Sequence, residues 1–208
     1  MSKGSVQMPD IYIITNRLQA GPEKLLPVLE EAVRAGVDAI ILREKDLQPE
    51  ELFRLAAETK KICSGTVTRL IINSGIDAAL AVGADGVHLG YGSVPLDVAR
   101  KMMPGKIIGV SVHSPGEAVS AQSGGAGYLL AGHVFETASK NGQPGRGIGF
   151  IKELCSLVSV PVIAIGGINP DNAGQVISAG ASGVAVMSLI MKANDIRETV
   201  GKLRRSLS

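Results

Sequence analysis

Tryptophan is absent from the 208 residues and aromatic side chains make up only 3% of them, so the chain has no stacking platform for nucleobases. Cysteine occurs twice, at Cys63 and Cys155, far apart and with no second thiol or histidine at metal-ligand spacing; both read as small buried apolar residues. Neither sign of charge is in excess. Twenty-one Lys and Arg stand against nineteen Asp and Glu, for a formal charge of +2. The one basic cluster, Lys202-Leu203-Arg204-Arg205, lies near the C-terminus, where a helix end favours cations. Nucleic acid is therefore excluded as an expected partner. No apolar run approaches the roughly 20 residues of a membrane span, and the first ten residues, MSKGSVQMPD, carry no signal-peptide core. A cytoplasmic protein without a membrane partner is expected.

What is present is a core of small branched side chains. The sequence is 45% hydrophobic and 19% charged, and Ile, Val, Leu and Ala must fill its interior, a set suited to buried parallel strands and their covering helices. Eight short runs read as strands: IYIIT (11–15), AIILR (39–43), RLIIN (69–73), GVHL (86–89), KIIGVSV (106–112), YLLAGH (128–133), PVIAI (161–165) and GVAVM (183–187). Between them lie amphipathic stretches such as EKLLPVLEEAVRA and PEELFRLAAETKKI, with Pro27 early enough in the first to be tolerated. AGVDAI (35–40), VGADGV (82–87), GAGYLL (125–130) and AGASGV (179–184) repeat one corner, a helix ending on Gly that feeds a buried strand. Eight such units in one domain spanning 1–208 predict an α/β fold, a single (β/α)8 TIM barrel. An open doubly wound sheet is the alternative; the first strand-to-helix turn, ITNRLQAG, lacks the G-x-G-x-x-G of that fold.

In such a barrel chemistry gathers at the carboxyl ends of the strands. The polar residues found there are Thr15 and Arg17, Arg43-Glu44-Lys45, Asn73, His88, Ser111 and His113, His133, Gly166-Gly167, and Ser188 after Met187. The glycines of IGGIN, and the helices expected to begin near Asn169-Pro170-Asp171 and after Ser188, aim N–H groups and positive dipole ends at one point, which implies a phosphate monoester as the ligand's handle. A tight turn is the structural alternative. Arg43 and Lys45 alternate along the second strand end, so both are expected to point into the mouth with Glu44 turned away; surface charge is the competing reading. His133 begins a glycine-rich loop, 136–147, that carries Lys140 and reads either as a lid over the ligand or as a solvated connection. His133 itself is either a packed strand-end residue or a proton carrier at the mouth. His88 reads as a structural support for the barrel mouth, and His113 shares a strand face with Ser111.

REKD (43–46), IIN (71–73), GADGVHLG (83–90), IGVSVHS (108–114), PGRG at the end of the loop, VIAIGGI (162–168) and GASGVAVMS (180–188) together resemble the thiamine phosphate synthase superfamily of barrels. In that family two aspartates hold the magnesium ion of a pyrimidine diphosphate, one after the Asn of the third strand and one shortly after the HLG of the fourth. Here those places hold Ser74 and, within HLGYGSVP, Gly92 and Ser93, with Asp77 and Asp97 as the nearby carboxylates. A hard cation needs charged oxygen ligands, so no metal site is expected. Gly132-His133-Val134-Phe135-Glu136-Thr137 resembles the TenI-type thiazole tautomerase branch. That resemblance implies an isomerase in thiamine biosynthesis, with His133 as the acid/base that aromatises a carboxythiazole phosphate, no cofactor, and Arg43, Lys45, Asn73, Ser111, His113, Lys140, Gly166, Gly167, Met187 and Ser188 around the substrate. The alternatives are the magnesium-dependent synthase, a transferase, and a non-catalytic binder of a phosphorylated ligand. A homodimer is the one protein partnership left open.

Overall fold

The computed structural model describes residues 11–140 and 142–207. Residues 1–10, on which the leader reading fell, and Asn141, part of the proposed lid, lie outside the described residues. Eight strands run in parallel and close in sequence order into one barrel. They are β1 (Ile11–Ile14), β2 (Ala39–Leu42), β3 (Arg69–Asn73), β4 (Gly86–Leu89), β5 (Ile107–Val112), β6 (Tyr128–Gly132), β7 (Val162–Ile165) and β8 (Gly183–Val186). Among the described residues ten helices surround or cap them: α1 (Arg17–Ala20), α2 (Leu25–Arg34), α3 (Pro49–Cys63), α4 (Ile76–Ala81), α5 (Leu96–Met102), α6 (Pro115–Ser123), α7 (Gly147–Leu157), α8 (Ala173–Ser178), α9 (Ser188–Met191) and α10 (Ile196–Ser206). Helix α2 starts at Leu25 after a short 3-10 turn over Pro22–Lys24, so Pro27 falls in its first turn, where a missing N–H costs no helical hydrogen bond.

The strands are hydrophobic along their whole length because both of their faces are covered. Ile11, Ile13, Ile40, Leu42, Leu70 and Ile72 point outward into the layer beneath the helices, while Tyr12, Ile14, Ala39, Ile41, Ile71, Tyr128, Leu130 and Ile163 alternate with them and fill the barrel. The four repeated corners behave as their glycines require: Gly36, Gly83, Gly125 and Gly180 all have φ between 64° and 103°, a region that L side chains rarely enter. One further glycine makes room rather than a turn. A Cβ on Gly109 of β5 would lie 2.0 Å from Cζ of Tyr128, so the interior accepts that large ring only because its neighbour has no side chain. Cys63 is buried and its thiol is pushed up to about 11 by burial and by Asp85, as suits an inert core residue.

Candidate functional site

Strand alternation carries inward-facing positions up to the carboxyl rim, where they surround a cavity of about 290 Å3. Arg43, Asn73, His88, Ser111, His113, His133, Lys140, Gly166, Gly167, Met187 and Ser188 all line it. Lys45 does not. β2 ends at Leu42 and the chain turns, so the alternation that would have aimed Lys45 inward no longer applies; it is exposed and lines a separate groove with Asp77 and Ser74. Glu44 does not line the cavity either; it is buried, and its carboxylate accepts the N–H of Arg17 at 3.0 Å.

Among the described residues, no Asp or Glu lines the cavity. Among the described residues no carboxylate pairs with Arg43, whose guanidinium faces the mouth while its own N–H donates to Thr15 Oγ1 at 2.8 Å. At the far side the β7–α8 turn supplies Gly166 (φ 102°) and Gly167 (φ 66°), and among the described residues neither N–H donates to a backbone carbonyl. The helix expected near Asn169–Asp171 starts later, at Ala173. The N–H groups of Asn169 and Asp171 are already taken by Asn172 Oδ1 and Asn169 Oδ1, and none of the residues of α8 lines the cavity. The anion corner is thus made by the two glycines together with Met187, Ser188 and Leu189 at the start of α9, where the first helical N–H groups lack intrahelical acceptors.

His133 is 9% exposed and held from several sides. Its carbonyl accepts from Arg146 N at 2.9 Å, the next residue, Val134, donates to Ile165 O at 2.8 Å, and its Nε2 lies 3.1 Å from the carbonyl oxygen of Gln143. A carbonyl only accepts, so Nε2 carries a proton, and in the neutral form of the ring Nδ1 keeps the lone pair. The two strand ends approach this closely because Gly132 and Gly166 lack side chains: a Cβ on Gly132 would meet Ile165 O at 2.2 Å and one on Gly166 would meet His133 Cβ at 2.3 Å. His113 is half exposed at the rim, 3.4 Å from Glu117. His88 is buried, with its Nδ1 3.0 Å from Tyr128 OH and its Nε2 2.8 Å from Ser111 Oγ. Burial first, and then the nearby Arg43, push its pKa down to about 3, so its ring is neutral. Tyr128 was not among the sequence candidates. It lies at the buried end of β6, four residues before Gly132, where strand parity alone gives an apolar reading.

The residues at the ends of β3 and β4 do not fit a magnesium ion. Ser74 Oγ lies 2.8 Å from Ser93 Oγ, Asn73 Nδ2 donates to Ser74, and the N–H of Gly90 donates to Ser93, forming a neutral cluster. Asp77 is exposed on α4, and Asp97 lies 3.9 Å from Lys101 on α5. Among the described residues no group of His, Cys, Asp and Glu is gathered to hold a metal. Among them, too, no helix is long and apolar enough to cross a membrane.

The thiamine monophosphate synthase family model matches residues 11–190. A thiamine-phosphate synthase of Methanoregula boonei is 41% identical over 201 residues, covering 96% of this chain and 93% of its own. One from Methanospirillum hungatei is 43% identical over 188 residues, covering 89% and 91%. The solved thiamine phosphate pyrophosphorylase of Pyrococcus furiosus superposes with a TM-score of 0.88 at 36% identity, over 97% of this chain and 96% of that one. These relatives overturn the isomerase reading. The GHVFET segment pointed to a tautomerase, yet full-length relatives at this identity are named as synthases, which are transferases, and one six-residue segment does not outweigh them. The fold and the full-length similarity place the chain in the thiamine monophosphate synthase family.

Proposed function

We propose that this protein acts in thiamine phosphate synthesis and that its β7–β8 corner holds the phosphate ester of a thiazole, the acceptor in the coupling that its relatives' names describe. The observation that carries this reading is a cavity lined by Arg43, Lys140, the two glycines of the β7–α8 turn and Ser188, and, among the described residues, by no carboxylate. A wall of donors without acids suits two phosphorylated ligands meeting in one mouth. Gly166, Gly167 and Ser188 take the ester phosphate of the thiazole, Arg43 and Lys140 take the diphosphate of the pyrimidine, and the Nδ1 of His133 lies between them as an acceptor for a hydrogen bond or a proton. A cytoplasmic site of action belongs to this reading.

The neutral Ser74–Ser93 pair favours a second reading, a barrel that keeps the phosphate-ester half of the family site without metal-dependent coupling. Incubation with thiazole phosphate, pyrimidine diphosphate and Mg2+ separates the two. Formation of thiamine phosphate establishes the synthase, and its absence, with thiazole phosphate still bound in EDTA, establishes the binder. A protein that binds no thiazole phosphate under either condition refutes both. Under the synthase reading Arg43→Ala is expected to weaken pyrimidine diphosphate binding about 10-fold by calorimetry, the lower end for a hydrogen bond to a charged group. Unchanged affinity would remove Arg43 from the site.

A further inference from the structure

A line of buried polar side chains runs down from the cavity into the barrel: Ser111 on β5, His88 on β4 and Tyr128 on β6. Ser111 faces the cavity, while His88 is 2% exposed and Tyr128 is fully buried. The groups around them are Arg43 at the end of β2, Asn73 opposite His88 on β3, and Tyr12 of β1, whose ring centroid lies 5.1 Å from that of Tyr128. A neutral imidazole has one proton for two nitrogens, so the two hydrogen bonds must run in the same sense along the line. Either Tyr128 donates to Nδ1 and Nε2–H donates to Ser111, or Ser111 donates to Nε2 and Nδ1–H donates to Tyr128.

Two considerations separate these. The Tyr128 phenol stays protonated, because burial raises its pKa well above the usual value, and its proton needs an acceptor in a dry interior; His88 Nδ1 stands 3.0 Å away. At the other end, Ser111 sits in a wall of donors facing an anionic ligand, and a hydroxyl showing only lone pairs there would repel what Arg43 and Lys140 attract. We propose that His88 is a positioning residue: fixed as the Nε2–H tautomer by Tyr128, it turns the Ser111 hydroxyl proton into the cavity, so that this wall selects a hydrogen-bond acceptor on the bound molecule. The ligand half of this inference rests on the proposed function; the tautomer does not.

Two measurements test it. Side-chain proton–nitrogen correlation NMR of the ligand-free protein, with His88 assigned by its loss in His88→Gln, is expected to show a neutral Nε2–H ring from about pH 5 to 8. An Nδ1–H pattern, or a charged ring in that range, overturns the proposal whatever the ligand proves to be. In calorimetry with thiazole phosphate, Ser111→Ala and His88→Leu are each expected to weaken binding ~3- to 10-fold, as for one neutral hydrogen bond, and their combination no further than either alone. His88→Gln places an amide N–H at the position of Nε2–H and is expected to stay within about twofold of the parent. Additive losses, or failure of His88→Gln to restore binding while it folds normally, would assign His88 a packing role only. Absence of binding by the unmodified protein would count against the proposed function alone, since the NMR pattern would still decide the direction of the hydrogen bonds.

Discussion

Acidification from pH 6.5 to roughly pH 4 is expected to remove about 3 kcal/mol of stability through His88 alone. The sign follows from the direction of the shift. In the unfolded chain this histidine titrates near 6.5, and in the fold near 3, because charging it would place a cation in the barrel interior beside Arg43. Between those values the unfolded state binds a proton that the folded state refuses, so acid draws the equilibrium towards unfolding by about 1.4 kcal/mol for each pH unit. The contribution is absent above pH 6.5, grows as pH falls, and levels off near the folded value. Urea unfolding of the parent and of His88→Gln at neutral and acid pH isolates it. The variant loses some stability at every pH, but its acid slope is expected to be shallower by this amount, whereas parallel slopes would mean that His88 is protonated inside the fold.

The architecture was legible because it depends on periodicity. Eight β-branched runs, alternating with helical patterns, matched the strands to within one residue at every end, and Gly36, Gly83, Gly125 and Gly180 marked the corners, since a positive φ leaves glycine as the cheap choice. The rim was legible for the same reason. Parity carried from a strand onto its last inward position placed Arg43, Asn73, Ser111 and Met187 correctly beside the cavity. Lys45 failed where the parity argument lost its basis, one turn beyond the end of β2; the contact that holds Glu44 away from the mouth, the N–H of Arg17 from a different unit of the barrel, was not legible at all. Contacts of that kind join residues 27 positions apart and leave no trace in local pattern. Helix α8 failed differently: Asn169 and Asn172 cap the turn with their own side chains, which sequence presents equally well as the start of a helix.

The tautomerase assignment shows a limit of another kind. A short segment and two missing carboxylates together pointed to the activity, but both observations concern only the mouth, and the similarity to synthases runs from Ile11 to Ile190. Ser74 and Ser93 form an uncharged cluster where a cation would need charge, and this sets the family's coupling reaction a definite test in this chain.

Gly166→Ala is expected to be the most damaging small substitution at the site, costing about 3 kcal/mol of stability and most of the affinity for thiazole phosphate. Two effects add. Gly166 has φ of 102°, where any Cβ is strained, and the new methyl carbon would lie 2.3 Å from His133 Cβ and 2.7 Å from its Cα, well inside contact distance. Neither neighbour can yield cheaply, because His133 is pinned through Arg146 N and the adjacent Val134–Ile165 hydrogen bond, so the clash must part the ends of β6 and β7. That movement displaces the glycine N–H groups from the phosphate corner and the imidazole from the ring together. Urea midpoints and calorimetry with thiazole phosphate measure the two losses. A variant as stable as the parent, binding as tightly, would mean that the close approach of these strand ends neither holds the fold nor shapes the anion corner.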